Sequence, residues 1–175
     1  MKVIKRFLLV LFITCCVGIT SAQGIRAGWN FSTVSGGKLA DVGDNNGFYV
    51  GVYKEFPFLV KDLLFLSPEL QYSQQGFRSA GSDYTLNYIN VPVMAKIYLI
   101  KIISLEAGLQ AGFKVGDSGP SLDYNTFDPA WAGGLGINLP FRLSITGRYI
   151  GSFNEVATGV GKNQVWQAGL AFRFK

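Results

Sequence analysis

The feature that most constrains the fold is a period-two alternation of apolar and polar residues that begins near Gly24 and recurs along the chain. From Ile103 to Lys114, every apolar residue is followed by a polar or small one. Segments 25–32 and 141–149 repeat the pattern. Successive side chains of a strand point to opposite faces, whereas a helix would spread both sets around its circumference. The alternation therefore predicts an all-β fold.

Counting the alternating segments gives about eight predicted strands. They lie at roughly 24–33, 47–56, 63–76, 84–99, 103–114, 130–138, 141–151 and 164–174. Short connections near 57–62, 100–102 and 139–140 alternate with longer ones, rich in Gly, Asp, Asn and Ser, near 34–46, 77–83, 115–129 and 152–163. Turn-forming composition of this kind favours chain reversal. The pattern predicts an antiparallel, up-and-down arrangement.

The amino terminus has the parts of a secretory signal peptide. Residues 2–6 include three basic side chains, residues 7–19 are apolar, and Thr20 and Ala22 are small residues placed before Gln23. A membrane anchor is the alternative, but this apolar segment is shorter than the roughly 20 residues that span a bilayer. We therefore expect residues 1–22 to be removed on export, which leaves residues 23–175 as one β-barrel domain.

Residues that the chain lacks narrow its chemistry. It has no histidine, and Cys15 and Cys16 both lie in the predicted signal peptide, where Phe12 and Thr14 fit a lipoprotein cleavage site poorly. Imidazole catalysis and thiol chemistry are thereby excluded from the mature chain, so we predict no enzyme activity, metal or cofactor. Three of the basic residues leave with the signal peptide, so the formal charge falls from +5 to +2, and we predict no nucleic-acid partner.

The polar faces of the strands indicate which side points inward. They mix glycine with a few charges, and charged residues make up only 15% of the chain, which is low for a water-facing surface. A small membrane barrel instead faces lipid with its apolar set and pairs opposite charges inside. The predicted interior polar network consists of Arg26, Glu69, Lys96, Glu106, Arg142, Arg148 and Arg173. The prediction is an eight-stranded antiparallel transmembrane β-barrel with outer-membrane lipid around it.

Aromatic residues and the last strand support a membrane location. Rings on the apolar faces are expected to form girdles at the two membrane interfaces. They are Trp29, Phe31, Tyr72, Trp131, Tyr149, Trp166, Phe172 and Phe174. The spacing of Gln167, Gly169, Phe172 and Phe174 is similar to the terminal signal of bacterial outer-membrane barrels, although Lys175 follows the final Phe. We expect the barrel-assembly machinery to be a partner through this strand.

Five segments carry a family resemblance, namely residues 24–32, 68–76, 88–96 and 105–112 and the final strand. In this order they resemble the PorT-like family of outer-membrane β-barrel proteins of Bacteroidetes. The resemblance implies an eight-stranded barrel in the outer membrane and no catalytic mechanism. The family's namesake is linked to assembly of a protein secretion system, but no short motif here marks that role.

An eight-stranded barrel is just filled by its own side chains, so the sequence does not predict a wide pore. We expect a non-enzymatic scaffold or binding protein that acts through outward loops or partner contacts, in envelope or secretion-system assembly. One alternative is a secreted soluble barrel that binds an apolar ligand.

A barrel enzyme is a second alternative, with Asp117, Asp123 and Asp128 as a carboxylate site, although loop acids are more often solvated turn formers. Calcium binding at residues 41–47 is a weak third, because the ligand spacing does not match a calcium loop.

Overall fold

The alternating segments pair into one antiparallel sheet in a computed structural model, which describes residues 22–36, 43–58, 63–79, 81–100, 102–119, 124–157 and 159–174. The predicted signal peptide lies outside the described residues except for Ala22. Among the described residues there is no helix with the length and hydropathy that crossing a membrane requires.

The strands occupy the positions that the alternation predicts. They are β1 (Gly24–Ser35), β2 (Gly43–Tyr53), β3 (Phe56–Pro57), β4 (Leu64–Ser79), β5 (Ser82–Tyr98), β6 (Ile103–Ser118), β7 (Phe127–Asn138), β8 (Leu143–Glu155) and β9 (Lys162–Arg173). The two-residue β3 pairs with β4, as β2 does, so β2 and β3 together form one element of the wall. The wall therefore has eight elements.

Pairing between β2 and β4 closes the sheet into a barrel. The strand order is β2-β1-β9-β8-β7-β6-β5-β4-β3, and β2 also pairs with β4, with Tyr49 opposite Ser73. Neighbouring strands are antiparallel throughout. Closure removes the exposed sheet edges that an open antiparallel sheet would present. The predicted eight-stranded up-and-down β-barrel is confirmed.

Two of the connections predicted to be long are shorter than expected because the strands continue. The predicted loop at 77–83 is a tight turn, with Ser79 paired to Ser82 and Gly81 at φ +77°. The segment predicted as a loop at 115–129 contributes residues to both β6 and β7. A backbone of Gly, Ser and Asp can still pair in a ladder, so a turn-like composition does not by itself end a strand.

The outer face of the barrel carries an apolar band whose height matches a bilayer. On β6 the outward residues run from Ile103 to Val115, and both are exposed. Twelve residue steps cover about 40 Å along the strand. A strand tilt of about 40° projects this length to about 30 Å, close to the hydrocarbon thickness of a membrane.

Beyond this band the polarity of the wall reverses. Along β5, Ile89 and Val91 point outward, whereas Leu86 and Tyr88 point inward and are buried. The reversal falls between Tyr88 and Ile89. The β4–β5 hairpin at residues 76–87, here called the outer extension, thus has an apolar inner face and a polar outer face, as a water-soluble barrel has.

Candidate functional site

The centre of the barrel holds two arginines and two glutamates that pair with one another. Arg26 on β1 donates from Nη1 and Nη2 to the two carboxylate oxygens of Glu106 on β6, at 3.0 and 3.2 Å. Arg148 on β8 donates from Nε to Glu106 Oε1 at 2.9 Å, and from Nη1 and Nη2 to Glu69 on β4 at 3.1 and 2.8 Å. All four side chains are buried. This central quartet is neutral.

The alternation of each strand and the glycines beside the quartet bring these long side chains together. The four residues come from β1, β4, β6 and β8, so the side chains reach the axis from around the wall. A Cβ added at Gly134 on β7 would lie 2.6 Å from the Gly147 carbonyl oxygen and 3.1 Å from Glu106 Oε1, so only glycine leaves room for both the backbone and the carboxylate. Gln71 adds a donor, from Nε2 to Glu69 Oε2 at 2.6 Å. The quartet thus fills the middle of the barrel.

A second cluster lies at the end of the barrel where the short turns are. Glu55 accepts two hydrogen bonds, from Lys96 Nζ to Oε1 at 2.8 Å and from Arg173 Nη2 to Oε2 at 2.9 Å. The hydroxyl of Tyr98 donates to Glu55 and accepts from Arg173. This rim cluster brings together Lys96 and Arg173 from the predicted network.

Glu55 was not among the predicted residues, although the sequence contains a signal for it. Tyr49 and Tyr53 point inward along β2, and Glu55 continues the same alternation two residues later. It lies just past the strand, where the period is easily taken to have ended.

Arg142 does not join the interior network, and its predicted position is wrong. It lies exposed in the turn Pro140–Arg142 and donates from Nη1 to the carbonyl of Phe174 at 2.7 Å. The prediction extended the strand alternation to residue 141. Instead, Phe141 and Arg142 have φ of +64° and +65°, a left-handed backbone that makes a turn, and the strand begins at Leu143.

Uncharged amides fill the interior above the quartet. Asn30 Nδ2 donates to Ser73 Oγ at 2.9 Å, and Gln167 Nε2 donates to Asn30 Oδ1 at 3.1 Å. Gln75 Nε2 donates to the same Ser73 oxygen, and Asn163 Nδ2 donates to Gln75. Prediction from the sequence considered only charged residues as interior partners, so these amides were missed.

An apolar cluster, here called the plug, closes the end of the barrel that carries the outer extension, which is called the outward end below. Its buried members are Val34, Phe77, Leu86, Tyr88, Tyr124, Val156, Ala157 and Val160. Phe77 stacks on Tyr84 with ring centroids 4.6 Å apart. The loop after β8 is held over the mouth by backbone hydrogen bonds, including Asn125 N to Val156 O at 2.9 Å. Burial raises the pKa of Tyr124 in this layer to about 12.

Acidic residues at the outward end are dispersed. On the outer extension, Arg78 donates to Asp83 at 2.6 Å, and this hydrogen bond holds the pKa of the Asp83 carboxyl below its usual range. Asp117 is exposed and accepts from Lys114, whereas Asp128 accepts from Ser152 at 2.7 Å.

The structure therefore does not join Asp117 and Asp128 in one carboxylate site. Asp123 and the first two residues of the calcium candidate at 41–47 lie outside the described residues, and residues 43–47 open β2. Within the described ranges, no three His, Cys, Asp or Glu side chains are grouped closely enough to hold a metal ion.

The four residues of the C-terminal signal lie on both faces of β9, and Phe174 directly follows the strand. Gln167 points inward and is buried, while Phe172 and Phe174 are exposed on the outer face, with ring centroids 5.9 Å apart. Gly169 packs against Gly28, where a Cβ would meet the neighbouring backbone. Recognition of this strand by the assembly machinery stays a prediction.

The outer face of the barrel carries exposed aromatic side chains. Trp131, Tyr149 and Trp166 form a row on adjacent strands, with centroids 5.2 and 4.9 Å apart. Trp29 and Phe31 are exposed on β1. A closed eight-stranded barrel with an apolar outer face, aromatic rings and a polar, charge-paired interior defines an integral membrane β-barrel.

Residues 19–157 match the outer membrane protein beta-barrel domain family, and the chain belongs to it. The protein is thus a barrel of the outer membrane. No curated protein sequence matches the chain.

Solved structures share the fold at low sequence identity. The crystal structure of Ail, the attachment invasion locus protein of Yersinia pestis, aligns with a TM-score of 0.59 at 19% identity over 87% of this chain and 97% of that one. Ail in a phospholipid bilayer nanodisc gives 0.52 at 18% identity, over 87% and 99%. The outer membrane enzyme PagL gives 0.51 at 12% identity, over 86% and 99%. At these identities the likeness concerns the fold alone.

Proposed function

We propose that this protein is a non-enzymatic scaffold or binding protein that presents its outer extension to a macromolecular partner outside the cell. The observation that carries the proposal is that side chains fill the barrel interior at two levels, while the hairpin above them is structured and has a polar outer face. The central quartet occupies the middle and the plug occupies the outward end. The groups available to a partner are therefore on the outside of the wall.

The outer extension has the rigidity that a binding surface needs. Its strands β4 and β5 are 16 and 17 residues long and remain paired up to Ser79 and Ser82. Phe77 is fully buried beneath the hairpin, and the exposed Arg78–Asp83 pair lies on its outer side. A preformed surface of this kind loses little conformational entropy when it binds.

The solved proteins that share this fold differ in role, so the fold does not decide between binding and catalysis. One is described as an attachment invasion locus protein and another as an outer membrane enzyme. The absence of histidine from the sequence supports the binding role here, because common acid–base catalysis relies on imidazole.

The finer assignment is to the PorT-like proteins of Bacteroidetes, supported by segments 24–32, 68–76, 88–96 and 105–112. A role in envelope or secretion-system assembly is part of this proposal. So are export by the signal peptide at residues 1–22, insertion by the barrel-assembly machinery through β9, surrounding outer-membrane lipid, and the lack of a nucleic-acid partner.

The test is site-specific photocrosslinking in intact cells. A photoreactive amino acid is placed at Thr85 or Asn87 on the polar face of the outer extension, and at Leu109 on the lipid-facing band as the matched control. We expect a discrete macromolecular adduct from the extension positions alone. Equal adducts from all three positions, ion conductance of the purified barrel in planar bilayers, or turnover of an ester lipid would contradict the proposal.

A further inference from the structure

A cavity of about 140 Å³ opens beside the rim cluster, at the end of the barrel opposite the outer extension. Its polar lining comes from Tyr98, Asn138, Arg142, Ser144 and Arg173, and two leucines of the adjacent turn complete it. This is the volume of about five liquid waters, enough for one tetrahedral phosphate group. Short turns face the periplasm in outer-membrane barrels, so the cavity lies at the periplasmic interface of the outer membrane.

Charge at this end of the barrel is unbalanced. Glu55 is the carboxylate that pairs with both Lys96 and Arg173, at 2.8 and 2.9 Å. Arg142 adds a third cation at the cavity, and its hydrogen bond goes to a neutral carbonyl. The rim cluster and Arg142 together thus comprise three cations and one carboxylate, whereas the central quartet above them is neutral.

The two arginines have donors to spare. The hydrogen bonds of Arg173 to Glu55 and Tyr98 both leave from Nη2, and that of Arg142 leaves from Nη1. Each guanidinium therefore keeps Nε and one terminal nitrogen without a partner among the described residues. In Arg142 the free Nε and Nη2 share one edge of the guanidinium, and such a planar fork binds the oxygens of a phosphate group by two parallel hydrogen bonds. In Arg173 the free Nε and Nη1 lie on different edges, so this arginine offers single donors.

The turn that carries Arg142 also presents an exposed aromatic ring. Phe141 and Arg142 both adopt positive φ, as the two central residues of a tight hairpin turn do. Phe141 is 92% exposed, against 41% for Phe172 on the wall. An exposed aromatic ring beside a cationic cavity fits an interface where lipid chains meet charged headgroups.

We propose that this rim cavity binds a phosphate group, supplied by an anionic phospholipid headgroup or by a free phosphate. Arg142 and Arg173 hold the phosphate oxygens, and the hydroxyl of Ser144 lies within the same cavity. The site is independent of the proposed outward function, since it lies at the other end of the barrel.

The test measures binding to the full-length protein in maltoside micelles by native mass spectrometry. The probes are short-chain phosphatidylglycerol, short-chain phosphatidylcholine and inorganic phosphate. Arg142→Gln removes one cavity cation, and Arg78→Gln is the matched control because it removes an exposed arginine at the far end. Heat-modifiable gel mobility checks that each variant is folded.

We expect saturable binding of phosphatidylglycerol, a loss of about tenfold in Arg142→Gln, and no change in Arg78→Gln. Preference for phosphatidylglycerol over inorganic phosphate identifies the lipid as the source, and equal affinity identifies a free phosphate. If Arg142→Gln does not fold, Arg142→Lys, which keeps the charge but loses the fork, is expected to bind several-fold more weakly. No saturable binding of any probe below about 1 mM, or equal affinities in the Arg142 and Arg78 variants, overturns the proposal.

Discussion

Replacing Glu106 by glutamine leaves the shape of the central quartet nearly intact but removes one of its two negative charges. The carboxylate accepts two hydrogen bonds from Arg26 and one from Arg148, at 2.9 to 3.2 Å. After the change, two buried guanidiniums share Glu69 alone, and the new amide group points N–H donors at other donors. Removing one partner of a buried ion pair costs about 3–5 kcal/mol. A charge pair 4 Å apart at an effective dielectric constant of about 20 gives a similar figure, about 4 kcal/mol.

Urea-induced unfolding in lipid vesicles measures this cost. The three tryptophans lie on the outer face, so their fluorescence reports loss of the membrane-inserted barrel, and gel mobility gives a second probe. We expect Glu106→Gln to lower the free energy of unfolding by about 3–5 kcal/mol. Asp83→Asn is the control, because it makes the same acid-to-amide change in an exposed ion pair and should leave the unfolding curve unchanged.

A double variant separates charge balance from packing. Arg26→Met together with Glu106→Gln leaves one arginine and one glutamate, so the interior is again neutral. We expect this protein to be more stable than Glu106→Gln alone by at least about 1 kcal/mol. A cost below about 1 kcal/mol for the single variant, or strictly additive effects in the pair, would refute the view that the quartet is one charge-balanced unit.

Three further outcomes follow from the packing of the wall. Gly28→Val should abolish the heat-modifiable folded form, since a Cβ would overlap the Ala168 carbonyl, while Gly147→Ala, which faces open space, should fold normally. Phe77→Ala should destabilise the outer extension by about 3–5 kcal/mol and speed amide exchange there, whereas Phe153→Ala on the exposed face should not. Brominated lipids should quench all three tryptophans, and quenching by soluble acrylamide instead would contradict the inside-out assignment.

The period-two pattern was sufficient to predict the wall and its central charges. Arg26, Glu69, Glu106 and Arg148 fall on the polar positions of four separate strands, and closure of the sheet directs those positions to the axis. Which side of the wall is apolar cannot follow from alternation, because a soluble barrel alternates equally well. The low content of charged residues and the many glycines on the polar faces indicated that the apolar side faces outward.

The features that the sequence did not predict lie where the alternation ends or reverses, and residue composition does not mark these positions. Arg142 has the parity of an inward residue, but the left-handed turn at residues 141–142 delays the start of the strand to Leu143, two residues later than the pattern. The reversal of polarity on β5 is visible only as the adjacent apolar pair Tyr88 and Ile89. The rim cavity is formed by contacts between residues far apart in the sequence, such as Arg142 with Phe174, for which the sequence holds no local signal.

The reversal between Tyr88 and Ile89 also fixes how deep the barrel sits in the membrane. Sliding it inward by one residue pair, about 5 Å of vertical travel, would bring Asn87 into hydrocarbon, and sliding it outward by the same distance would expose Ile89 to water. Because the strand sequence itself sets the edge of the apolar band, the protein cannot adjust to a bilayer of different thickness. The bilayer must instead deform around the protein. The protein is therefore suited to one membrane thickness, and its stability should fall in lipids with longer or shorter chains.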